Sequence, residues 1–122
     1  WVAIILMAPP LAFAAGHLIC HQRPERSFVL HGRQLPVCAR CTGLYAGAAI
    51  AGPMAIVLGA SIARRRARLL LSAAAVPTLI TWSLEFAGVV PFSNAWRFVA
   101  ALPLGFAAAW LVLGEIGAMP DE

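Results

Sequence analysis

An all-α bundle of four transmembrane helices is what this sequence predicts, on three observations. Hydrophobic residues make up 61% of the 122-residue chain and charged residues only 11%. Soluble domains average about 45–50% apolar and about 25% charged residues, so this chain has too little polar surface to cover a water-facing globule. The mean hydropathy is +0.84. The few charges fall in gaps between four apolar segments, each close to the roughly 20 residues that a helix needs to cross a bilayer. An ordinary soluble enzyme, a disordered tail and a fibrous repeat are excluded. A single integral membrane domain remains.

The four spans follow in order. The first runs from Trp1 to about Leu18, and Pro9-Pro10 should kink it. Its Ala12-Phe13-Ala14 mimics a leader cleavage site, but no basic stretch precedes it, so it reads as a span. The second, from about Leu44 to Ala60, is near the lower length limit. It is either little tilted or extended backwards through Cys41–Gly43. Within it Gly43 and Gly47, and Ala48 and Gly52, are four apart, the small-xxx-small spacing that lets helix backbones approach closely. The third runs from about Leu69 to Val90 and the fourth from about Trp96 to Ile116. Pro53 and Pro77 should bend the second and third.

Nine basic residues, all Arg, outnumber five acidic ones. Their position between apolar runs points to headgroup contact and topology signalling rather than nucleic acid. The expected partner is membrane lipid. Arg64, Arg65, Arg66 and Arg68 form the densest cluster, which places that linker on the cytoplasmic side of the membrane. The gap between the first two spans, about 19–43, is then extracytoplasmic.

All three cysteines and all three histidines fall between His17 and Gly43. Cys38 and Cys41 form a C-x-x-C, whose geometry suits two thiolates on one metal or a reducible disulfide. A tetrahedral site would take Cys20, Cys38 and Cys41 with His21 as fourth ligand, His17 being the alternative and His31 within reach of a swing. Three Cys and one His suit zinc best; iron and copper stay open. Four protein ligands would close the site, whereas a missing His would leave a position for water activation.

Two other classes compete. One is a membrane thiol–disulfide oxidoreductase that relays electrons to quinone. The other is an accessory subunit of a larger photosynthetic or respiratory membrane complex. Whether the protein is an enzyme stays open. Arg23, Arg26, Arg33 and Arg40 would suit an anion or a lipid phosphate, although Glu25 also offers one of them a simple ion pair. Glu85, inside the third span, is costly unless paired. Arg97 is its expected partner across a short turn, and Glu85 is also the candidate acid/base of any catalysis.

Cys20-His21-Gln22, Pro24–Phe28 (P-E-R-S-F), Gly32–Pro36 (G-R-Q-L-P) and Cys38–Gly43 (C-A-R-C-T-G) together resemble the DUF2085 family of small bacterial and archaeal membrane proteins. The likeness is dense over these residues and looser through the third helix, Asn94, Arg97 and Gly105. It implies that Cys20, His21, Arg26, Cys38, Arg40 and Cys41 are motif positions. Family members often carry an Asp in the third helix after its proline. Thr81 stands near that place here, so this protein either lacks such a carboxylate or has Glu85 in its stead. The resemblance implies no reaction.

Overall fold

The computed structural model describes residues 9–59 and 64–117. Helices α1 (Pro9–His17), α2 (Ala39–Leu58), α3 (Arg64–Phe86) and α4 (Asn94–Gly117) account for most of them. Three stretches are long and apolar enough to cross a membrane: Ala39–Leu58, Arg65–Phe86 and Asn94–Ile116. Of the expected first span only α1 falls within the described residues. Pro9 and Pro10 open it, and the kink expected there lies outside them.

The all-α expectation needs a correction. Between α1 and α2 the chain forms a 3-10 turn, Pro24–Arg26, and an antiparallel hairpin, β1 (Ser27–Leu30) and β2 (Arg33–Cys38). The hairpin turns on His31 (φ 51°) and Gly32 (φ 74°). Positive φ at both central residues is the two-residue turn whose twist matches that of paired strands. Leu30 faces Arg33 across the turn, and Ser27 faces Cys38 at the base. The segment that carries the cysteines is therefore a built element rather than an open loop.

The helix ends also differ from the expected ones. Cys38, still extended (φ −70°, ψ 165°), caps α2, which begins at Ala39 rather than near Leu44. Cys41 therefore sits in its first turn. The third helix stops at Phe86, short of Val90. Gly88 takes a left-handed conformation (φ 69°), while the N–H groups of Gly88 and Val89 donate to the carbonyls of Glu85 and Leu84. That pairing closes a helix end, and residues 87–93 then carry the chain into α4.

Packing explains the small residues. Ala39, Gly43, Gly47, Ala51 and Ala55, each four apart, are the buried stripe of α2. It lies against Ala101 and Gly105 of α4 so closely that a Cβ on Gly43 would strike the Phe98 carbonyl oxygen, and one on Gly105 the backbone of Leu44. Gly52 has open space around it and takes no part. In lipid, association rests on such close van der Waals contact because burial from water supplies no drive. A hydrogen bond from Thr78 Oγ1 to the Ala100 carbonyl (2.8 Å) joins α3 to α4. Large apolar side chains such as Ile56, Val57, Leu69 and Phe86 point outward, as lipid contact allows.

Candidate metal centre

Each cysteine is delivered by a different local device. Cys20 follows α1, its N–H donating to the Gly16 carbonyl (2.9 Å), and its side chain is buried. Cys38 ends β2 and caps α2; Cys41 lies one turn into that helix. The hairpin fold thus returns the chain to Cys20 after eighteen residues. The Cys38 N–H donates to Cys20 Sγ (3.2 Å), and the Sγ atoms of Cys38 and Cys41 are 3.6 Å apart. All three Sγ atoms lie within 4.8 Å of one another. Ligand sulfurs at a zinc–sulfur distance of about 2.3 Å sit about 3.8 Å apart in a tetrahedron, so the trio needs only slight tightening to hold one ion.

The electrostatics favour thiolate at Cys38. Hydrogen bonding to Cys41 is the chief influence that brings the Cys38 thiol down to about 5, against the opposing effect of burial. Backbone N–H groups of Cys41 and Arg40 at the start of α2 add to the lowering.

Side-chain amides hold this arrangement. Gln22, itself at φ 48°, donates through Nε2 to the carbonyls of Phe13 in α1 (2.7 Å) and Pro36 in β2 (2.8 Å). Gln34 Nε2 donates to the Gln22 carbonyl (2.8 Å), and Ser27 Oγ to the Arg23 carbonyl (2.9 Å). Asn94 Nδ2, at the start of α4, donates to the Ser27 carbonyl (3.0 Å). The sulfur-bearing hairpin is thereby pinned to both α1 and the membrane helices. Gln22 and Gln34 are absent from the candidate set above. The signal that could have indicated the hairpin they brace is the pair of short apolar runs, Phe28–Leu30 and Leu35–Val37, set on either side of His31-Gly32.

The histidines stand elsewhere. His17, His21 and His31 are exposed, and none belongs to the sulfur group. His21 follows buried Cys20 directly and faces out. His31 is at the hairpin tip, the whole length of β2 away from Cys38, or roughly 16 Å at strand rise.

The four arginines of the gap divide. Arg23, Arg26 and Arg33 are exposed, whereas Arg40 turns inward. Its Nη2 donates to Glu85 Oε2 (2.5 Å), and Arg97 Nε donates to Glu85 Oε1 (2.7 Å). Arg97 Nη1 also donates to Asn94 Oδ1 (2.6 Å). The Glu85 side chain is only 6% exposed. Both its oxygens are occupied by guanidinium groups, which suits a clamp between three helices rather than proton transfer. Arg40 Nε is buried and has no acceptor among the described residues.

Comparison with known proteins returns relatives but no chemistry. No solved structure matches the chain. An uncharacterised protein of Methanothermobacter thermautotrophicus is 36% identical over 93 residues, which cover 76% of this chain and 83% of that protein. An uncharacterised protein of Methanocaldococcus jannaschii is 30% identical over 104 residues, 83% of this chain and 65% of that longer one. Residues 20–111, which run from Cys20 through most of α4, match the family described as "Predicted membrane protein (DUF2085)", and the chain belongs to that family.

Proposed function

We propose that this is a four-span membrane protein that holds one soft transition-metal ion, zinc by preference, between Cys20, Cys38 and Cys41 at one membrane face. The observation that carries the reading is the meeting of three Sγ atoms within 4.8 Å from two separate parts of the chain. Thiolate donors select zinc, monovalent copper or iron, and reject hard cations. The fourth span is the apolar stretch that ends in α1. The sulfur-bearing face lies outside the cytoplasm, a reading supported by the arginines that open α3 at the other end of the bundle.

Metal analysis of protein purified under reducing conditions is the test. One equivalent of zinc is expected, with loss of metal in Cys38→Ser and in Cys20→Ser. Wild-type protein without metal under these conditions overturns the reading.

Gln22→Ala leaves all three sulfurs in place but removes the amide that ties α1 to β2. Loss of a group bonded directly to a metal ligand typically costs 10–100-fold in metal affinity, and Gln22 acts one step further out, so the low end applies. A drop of about tenfold in a chelator competition is expected; unchanged affinity means that the hairpin holds itself.

A second reading has one specific support. Cys38 caps a helix with Cys41 one turn on and 3.6 Å away, an arrangement that suits a thiol–disulfide couple. Metal-free protein in which a Cys38–Cys41 disulfide forms and responds to added quinone would favour it.

A further inference from the structure

We propose that the fourth position on a metal held by Cys20, Cys38 and Cys41 is filled from outside the chain, by an exogenous thiolate. The inference rests on the metal reading above and goes beyond it by naming what the site takes. Three observations carry it.

The first is the donor set. Among the described residues the three sulfurs are joined by no His, Asp or Glu. The nearest histidine in sequence, His21, is exposed while its neighbour Cys20 is buried, so the two side chains leave the backbone in different directions. Glu85 has both oxygens engaged by arginines, and Glu25 is exposed on the 3-10 turn.

The second is access. Cys20 forms the buried side of the group, whereas Cys38 and Cys41 are only half-buried. The open side therefore lies over the C-x-x-C turn, at the membrane surface rather than among the helices. A small donor can approach there without separating α2 from α4.

The third is charge. Three thiolates around a divalent ion carry one net negative charge. The surroundings supply more than enough to balance it. The buried group of Arg40, Arg97 and Glu85 is net positive by one, and Arg40 retains an N–H with no acceptor. Arg23 and Arg26 flank Glu25 in the turn that leads into Ser27, the strand partner of Cys38. An anionic fourth ligand is accommodated by this excess, and a soft sulfur donor matches the three already present. In the binding step the incoming thiol gives its proton to the buffer and its sulfur lone pair forms the fourth bond to the ion. No electrons are transferred and no oxidation state changes.

The experiment uses the full chain in detergent micelles, reduced and without oxygen, loaded with Co2+ as a spectroscopic stand-in. Glutathione or 2-mercaptoethanol is titrated in, with imidazole and chloride as parallel additions. The expected result is a saturable rise of about one third in sulfur-to-cobalt charge-transfer absorption, as three thiolates become four, with cobalt retained after desalting. Imidazole and chloride should not produce that rise, and the triple variant His17→Ala/His21→Ala/His31→Ala should behave as wild type. A spectrum indifferent to thiol overturns the inference. If the triple variant then alters it, the fourth ligand is a histidine of the chain; if not, it is another group of the chain. Cobalt stripped by thiol also overturns it. Failure of the wild-type chain to bind Co2+ or Zn2+ at all overturns the metal reading itself, a separate outcome.

Discussion

Glu85→Gln lowers the stability of the folded protein by about 3–5 kcal/mol, the usual cost of leaving buried charge without its partner. The substitution is nearly isosteric, so the loss is electrostatic. The reason lies in where the three charges sit. Arg40 is in the first turn of α2 and Arg97 in the first turn of α4, while Glu85 is in the last turn of α3. Each is at the wrong end of its own helix: cations at positive ends, the anion at a negative end. None is there to cap its helix. Across the helices the signs reverse, since Glu85 meets the positive ends of α2 and α4, and the arginines meet the negative end of α3. The carboxylate is thus the one group that reconciles three helix ends and two guanidiniums. Without it, two mostly buried arginines face each other at the edge of the hydrocarbon. Unfolding by denaturant in micelles, followed by tryptophan fluorescence, checks the size of the loss. The triple variant Arg40→Leu/Glu85→Leu/Arg97→Leu should recover most of it, because a buried ion group is often replaced by apolar side chains without loss. A Glu85→Gln protein as stable as wild type would remove Glu85 from the architecture and return it to candidate acid/base.

Much of this molecule is legible in the sequence because its signals are local in the chain. The apolar stretches declare membrane spans through composition alone. The crowding of Cys20, Cys38 and Cys41 into one gap is likewise visible before any folding. What a local reading cannot see is direction. His21 and Cys20 are neighbours, yet one faces out and the other in, because Cys20 closes the turn after α1 and Gln22 reverses the backbone just beyond. Nor can it see Arg40 beside Glu85, 45 residues away. That contact depends on α2 beginning at Ala39, and so on Cys38 ending a strand. The hairpin has only a weak local signal, two short apolar runs, Phe28–Leu30 and Leu35–Val37, on either side of His31-Gly32. Neither run alternates apolar and polar residues, so the period-two signal of strands is missing and the dense Cys and His pattern reads as a metal-binding loop.

Gly105→Ala is the second large loss, about 3 kcal/mol or more, at the upper end of what overpacking costs. An added Cβ at Gly105 meets the Leu44 carbonyl and Cα, which are main-chain atoms of a helix and cannot rotate aside. The helices must separate, and separation removes the contacts along the whole stripe from Ala39 to Ala55 on which lipid-phase association depends. Gly52→Ala is the matched control. It makes the same chemical change in α2 but meets nothing within 4 Å. It should be neutral or more stable by about 0.5–1 kcal/mol, since alanine is the better helix former. Gly47→Ala should be costly too, because its Cβ meets the Leu102 carbonyl and the Phe106 nitrogen beside Gly105. The two losses should not add: once one Cβ has forced the backbones apart, the second finds room already made. Unfolding curves of the two single variants and the double variant measure that coupling. Metal content of the same proteins extends it to the site, since Arg40 and Cys41 ride on the first turn of the helix that is displaced. Gly105→Ala should therefore bind metal more weakly than Gly52→Ala, although neither touches a sulfur. Equal stability of the two would mean that α2 and α4 do not meet through their glycines.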